Sequence, residues 1–246
     1  MISMALNPVT NRARAAGDLK GGRAGDRRRM LIILNRLGAE FELWRRYTDD
    51  PFLLLVGTIL SQNTNWRNTR AAYNRLIAKF HTPEQLARAE VREIQKLIKP
   101  AGLYRMKSKR LKEVARIVLE RYHGNLSTLL RKPSEEARRE LLSLPGIGYK
   151  TADVVLVFGA GRDVLPIDTH IFRVSKRLGF ARPKASYEEV RSELEELTPR
   201  GRRGEAHVLL IQHGRRYCLA RNPRCDECPI NDLCPIGIRR AKPAQL

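Results

Sequence analysis

Four cysteines, Cys218, Cys225, Cys228 and Cys234, are the only ones in the chain and fall within 17 residues as Cys-x6-Cys-x2-Cys-x5-Cys. With none elsewhere to act as a staple, thiols this close together read as ligands to a metal centre. Structural zinc usually draws on two short Cys pairs, and only one short pair is present. A cubane with one thiolate per iron corner tolerates the wider outer spacing, so a [4Fe–4S] cluster is the expectation and zinc the alternative. Arg215, Arg216, Arg221 and Arg224 flank these cysteines and would make their loop a positive surface for phosphates.

A second constellation lies upstream, in Leu144-Pro145-Gly146-Ile147-Gly148-Tyr149-Lys150-Thr151-Ala152. Gly146 and Gly148 allow a tight turn between two helices, with backbone N–H groups exposed at the mouth of the second, where a phosphate oxygen could be held. Such a contact positions a nucleic-acid backbone and reads no sequence. Lys150 stands in the first turn of that second helix, where the dipole disfavours a cation. Desolvated there, a neutral amine could attack a sugar C1′ as a Schiff-base nucleophile; the plainer reading is a cation on phosphate. Asp168 follows 18 residues later, before the apolar-periodic run from Thr169. It can cap that helix or supply a carboxylate to the reaction.

These groups need a scaffold, and the 246-residue chain is 42% hydrophobic, enough to bury a sizeable core. Apolar residues recur at helical intervals from Met30 to Leu43 and through Pro51–Leu60, Asn68–Phe80, Val91–Ile98, Leu111–Tyr122, Glu135–Leu144, Thr151–Phe158, Thr169–Leu178, Tyr187–Leu197 and Ala206–His213. About ten helices and an all-α class are predicted. Thr82-Pro83-Glu84-Gln85 is a further helix start, with a hydroxyl cap and a proline in the first turn. Residues 1–29 carry many Arg and Gly without apolar period, and are expected to form a basic disordered arm. Lys and Arg total 47 against 26 acids, a formal charge of +21. An excess of this size favours a polyanion, nucleic acid first and an anionic membrane surface second. No apolar run reaches the ~20 residues of a bilayer span, and residues 1–6 lack a signal-peptide pattern, so a non-secreted, cytoplasmic protein is expected, and with no heptad or other dimerisation signal a monomer.

In this order, the Leu-Pro-Gly-x-Gly-x-Lys-Thr-Ala hairpin, Asp168 within Ile-Asp-Thr-His-Ile-Phe-Arg-Val, and the cysteine spacing resemble the endonuclease III family of DNA glycosylases over residues 30–236. The resemblance implies the two-domain helix-hairpin-helix glycosylase fold: a six-helix barrel over residues 50–165, and an iron–sulfur cluster domain built from 30–49 and 166–246. It implies base excision from duplex DNA carrying a damaged base or abasic site, with oxidised pyrimidines the expected lesion and β-elimination as the second step. Lys150 matches the catalytic lysine and Asp168 the catalytic aspartate. Gln62 matches the glutamine that fills the gap left by a flipped base, and Leu103 the wedge on the opposite strand; on its own terms Leu103 reads as a core leucine. Tyr149 is a candidate DNA contact. Asn65-Trp66 departs from the endonuclease III pattern and is similar to the 3-methyladenine branch, although Trp66 alone reads as core. A monofunctional glycosylase for alkylated or mismatched bases, and a non-catalytic cluster-containing DNA-binding protein, are the alternatives. His170 and His213 read as packed or hydrogen-bonded histidines rather than acid–base groups.

Overall fold

The computed structural model describes residues 22–43 and 48–241. Among them are thirteen α-helices, two 3-10 turns and no strand, and no helix is long and apolar enough to cross a membrane. The chain divides into two compact units, Trp44–Pro166 and Met1–Leu43 with Ile167–Leu246.

The first of these is organised by α2 (Pro51–Ser61), whose sequence is apolar almost all round and which is buried continuously from Leu54 to Leu60. Only a central helix can satisfy that pattern. Asp50 starts it, its carboxylate accepting from the Phe52 and Leu53 amides at 2.7 and 3.0 Å, with Pro51 in the first turn. Around it pack α3 (Trp66–Ile77) and α9 (Tyr149–Ala160), and α4 (Pro83–Arg88) and α5 (Val91–Ile98) lie on α6 (Tyr104–Tyr122). The predicted Thr82 start of α4 is a full capping box with Gln85. Glu135 and Glu136 occupy the first turn of α8 (Ser134–Ser143) as the dipole favours. The five-residue α7 (Leu126–Leu130) is too short to register as a period.

In the other unit, α1 (Arg23–Glu40) packs on α11 (Tyr187–Leu197) and α12 (Arg203–Arg216), and α12 on α10 (Thr169–Leu178). A Cβ on Gly214 would come within 2.9 Å of His170 Cβ, so glycine is what lets α10 and α12 approach there. The seven-residue α13 (Pro235–Ala241) closes the described chain.

The expected arm at 1–29 is corrected in part. Residues 1–21 lie outside the described residues, but α1 begins at Arg23, seven residues before the apolar period. The fold neutralises these cations: Arg23 and Arg27 both pair with Glu196, and buried Arg29 donates to the Leu178 carbonyl at 3.0 Å and lies over Phe180. Burial lowers the Arg29 guanidinium from its ordinary range, opposed by Asp26.

Candidate nucleic-acid site and cluster loop

Between α8 and α9, Leu144–Ile147 forms a β-turn closed by the Ile147 amide on the Leu144 carbonyl at 3.2 Å. Pro145 and Gly146 fill its central positions, and φ +75° at Gly146 is the left-handed value a type II turn requires. Leu144 and Ile147 anchor the turn in the core, leaving Gly146 and Gly148 exposed. Gly148 starts α9 without a side-chain cap, which leaves the opening amides of that helix with no side-chain partner. Lys150 is half-buried in that turn and Tyr149 is exposed.

Three residues that no motif picked out hold this hairpin. Arg138 on α8 makes a buried, two-pronged pair with Asp153 on α9, at 2.7 and 3.2 Å, and its guanidinium lies 5.2 Å from the Tyr149 ring centre. Arg110 on α6 lies so close over Gly146 that a Cβ there would fall 1.8 Å from its Nε. Arg110 also donates to Gln62 Oε1 at 2.7 Å, and Gln62 Nε2 donates to the Gly146 carbonyl at 3.2 Å. The structure thus brings Gln62, the residue beyond α2, onto the hairpin turn. The only sequence signal for Arg110 was its place among the excess cations.

Two readings made from the residues alone are overturned. Leu103 is not a core leucine: it is 51% exposed, with φ +47°, between Gly102 and α6. Trp66 is 60% exposed, because the Asn65 carboxamide, accepting from the Asn68 amide at 2.9 Å, starts α3 one residue before it and leaves the indole outside the buried Ala72, Tyr73 and Leu76 stripe.

Asp168 lies in the other unit, where its Oδ1 accepts the Ile171 amide of α10 at 2.8 Å. The capping role is therefore real, and among the described residues no donor engages its second oxygen. His170 is half-buried beside Arg173, its Nδ1 3.0 Å from that guanidinium, and burial lowers its pKa from the ordinary value.

Downstream, Cys218, Cys225, Cys228 and Cys234 line one cavity together with Arg177 and His213. Thiols spaced around one cavity suit a multi-iron cube with one thiolate per iron corner. Arg173 Nε donates to the Cys218 carbonyl at 2.8 Å, and Arg177 to the Leu219 and Ala220 carbonyls at 2.6 and 3.0 Å, fixing the loop from α10. Arg177 also reaches Cys218 Sγ, and His213 Nε2 reaches Cys228 Sγ, both at 3.3 Å. Buried His213 is thus packed against a cysteine. Burial pushes the Cys228 thiol up to about 11; coordination of its thiolate by a Lewis-acidic metal, with the proton released to solvent, would offset that cost. A Cβ on Gly237 would meet the Asn231 carbonyl oxygen at 2.4 Å, so α13 can close over the loop only with glycine there.

Residues 56–200 match the model of the HhH-GPD superfamily base excision DNA repair proteins. The chain belongs to that superfamily and, within it, to the endonuclease III family. Residues 218–234 match the iron–sulfur binding domain of endonuclease III, which spans the four cysteines and establishes a [4Fe–4S] cluster as the cofactor. Endonuclease III of Thermotoga maritima is 38% identical over 193 residues, covering 78% of this chain and 86% of that one. Among solved structures, a trapped endonuclease III–DNA covalent intermediate matches with a TM-score of 0.75 at 31% identity, covering 88% of this chain and 99% of that one. A thermostable thymine-DNA glycosylase matches with a TM-score of 0.75 at 26% identity, covering 88% and 98%. As an endonuclease III family member this chain is a base-excision repair enzyme, a DNA glycosylase with abasic-site lyase activity.

Proposed function

We propose that the enzyme removes oxidised pyrimidines from duplex DNA, acting as a monomer on a damaged base or abasic site, with Lys150 as nucleophile. The observation that carries this reading is the place of Lys150, half-buried in the first turn of a helix whose opening amides have no side-chain cap. A phosphate on those amides would set the sugar beside the amine. Lys150 Nζ attacks C1′ of a nucleotide flipped from the stack, and the glycosidic bond breaks, its electron pair and a proton leaving with the base. Loss of the amine proton and ring opening give an imine. Removal of a C2′ proton then expels the 3′ phosphate by β-elimination and nicks the strand. Asp168, with one oxygen spent on its cap, offers the other to the positive charge developing on the sugar and to proton transfer. Gln62 enters the gap left by the base, Leu103 wedges the opposite strand, and Gly146, Gly148 and Tyr149 contact the backbone. Cys218, Cys225, Cys228 and Cys234 hold the [4Fe–4S] cluster, which when bound braces the loop. The place of work is then the nucleoid.

A second reading, a monofunctional glycosylase for alkylated or mismatched bases, is favoured by the exposed Trp66 indole, which could stack on a purine. Single-turnover release from duplexes carrying thymine glycol, 3-methyladenine or a T·G mismatch separates the two. Release and nicking at thymine glycol support the first reading; release of 3-methyladenine or thymine without nicking contradicts it.

A further inference from the structure

The α6 residue Lys107 is completely buried, yet no acidic side chain among the described residues pairs with it. Its Nζ donates instead to two backbone carbonyls, Leu60 at 2.8 Å and Ala101 at 2.9 Å. Leu60 lies near the end of α2, and Ala101 ends the 3-10 turn Lys99–Ala101. Both are helix C-termini, where carbonyls lack intrahelical partners and the dipole favours a cation. An apolar side chain of similar volume would ordinarily serve a core better than a buried ammonium, so the lysine marks a geometric demand.

The backbone just beyond each pinned carbonyl reveals that demand. Two residues past Leu60 comes Gln62, then Asn63 with φ +53°. Directly after Ala101 come Gly102, with φ +64° and ψ 166°, and Leu103 with φ +47°. Left-handed backbone is uncommon for a non-glycine residue, and it persists only where the surroundings over-determine it. The two strained stretches carry the two side chains assigned above to the gap and the wedge.

We propose that Lys107 is a positioning residue that ties the Gln62 loop and the Leu103 loop into one rigid unit, so that plug and wedge enter a damaged duplex together. This rests on the assignment of Gln62 and Leu103 to those roles. One ammonium bridging both carbonyls means that neither loop can shift without breaking a buried hydrogen bond. Lys107 itself touches no substrate.

The test uses the cluster-loaded protein and a duplex with a tetrahydrofuran abasic analogue opposite 2-aminopurine, whose fluorescence rises when the wedge unstacks it. In Lys107→Met, checked for native circular dichroism and cluster absorbance, the rise should fall at least threefold. The ratio of affinities for analogue over undamaged duplex should fall about tenfold. The double variant Lys107→Met/Leu103→Ala should be no worse than Leu103→Ala alone, since both act through one insertion. Gly102→Ala probes the same turn without entering the core, because a Cβ there meets nothing within 4 Å. It too should reduce the rise, and wild-type fluorescence in Gly102→Ala overturns the proposal even if Lys107→Met fails to fold. A rise lost in Leu103→Ala but kept in folded Lys107→Met overturns the role of Lys107 alone. A rise indifferent to Leu103→Ala overturns the wedge assignment, and the proposal with it.

Discussion

The hairpin of one unit and the cysteine loop of the other are both rich in cations, but they use them in opposite ways. Around the hairpin, the anion site proposed above would be made of backbone, the uncapped start of α9 beside glycines, with Arg110 and Arg138 bound to the turn and to α9 and holding their shape. In the cysteine loop, the cations committed inward are Arg173 and Arg177 of α10, whereas Arg215, Arg216, Arg221 and Arg224, which the sequence offers as a phosphate surface, stay exposed. Arg216 pairs with Glu40 at 3.0 Å and lies against Phe41 and Tyr217, while Arg173 and Arg177 spend their donors on loop carbonyls. Arg36 is likewise tied to Asp232 at 2.6 Å. A net charge of +21 therefore overstates the surface left for DNA. Arg221, exposed and without a partner among the described residues, is the loop cation best placed to meet a phosphate.

The contrast can be broken most forcefully on the hairpin side. Lys150→Ala should lower nicking of an abasic duplex on the order of a thousandfold or more in single-turnover kinetics, while its undamaged-duplex affinity measures how little of the hairpin's hold is side chain. On the cluster side, Cys228→Ala should abolish visible iron–sulfur absorbance and lower the melting temperature, a loss on the order of several kcal/mol if the metal ties the loop. Asp153→Asn leaves the Arg138 guanidinium buried without its countercharge, and denaturant unfolding should show a loss of about 3 kcal/mol.

A finer effect comes from Lys107, whose ammonium burial lowers from 10.5 to about 8, with Arg110 adding to the shift. Because the unfolded chain binds more protons between pH 8 and 10.5, stability contributed by this group rises with pH through that window. Wild type should gain about 2 kcal/mol over Lys107→Met between pH 7 and 9.5 in urea titrations; a flat difference would contradict the buried ammonium. Smallest of all, Arg221→Ala should reduce the slope of log affinity against log salt by about one, whereas Arg216→Ala should leave it unchanged.

Much of this organisation is legible in the sequence. The all-α class is carried by apolar periods and caps, and the Thr82 and Asp168 helix starts stand where their hydroxyl and carboxylate would place them. Motif spacing marks the hairpin and the cysteines as sites. Features that depend on a distant partner escape a linear reading. Arg23, Arg27 and Arg29 look like a solvated arm until Glu196 and the Leu178 carbonyl are brought to them. Lys107 and Arg110 look like two more surface cations on a basic helix, though one is fully buried and the other lies across Gly146. Leu103 and Trp66 fail for the converse reason: each is apolar and sits at a helix start, but the cap geometry leaves both facing solvent.

Everything proposed for the chemistry turns on the amine of Lys150 becoming covalently attached to the sugar. Borohydride added to the protein on a duplex with one abasic site reduces such an imine to a stable protein–DNA adduct. An adduct is expected with the wild-type chain and none with Lys150→Ala. A wild-type chain that binds the duplex yet yields no adduct, or an adduct that persists in Lys150→Ala, would contradict the assignment.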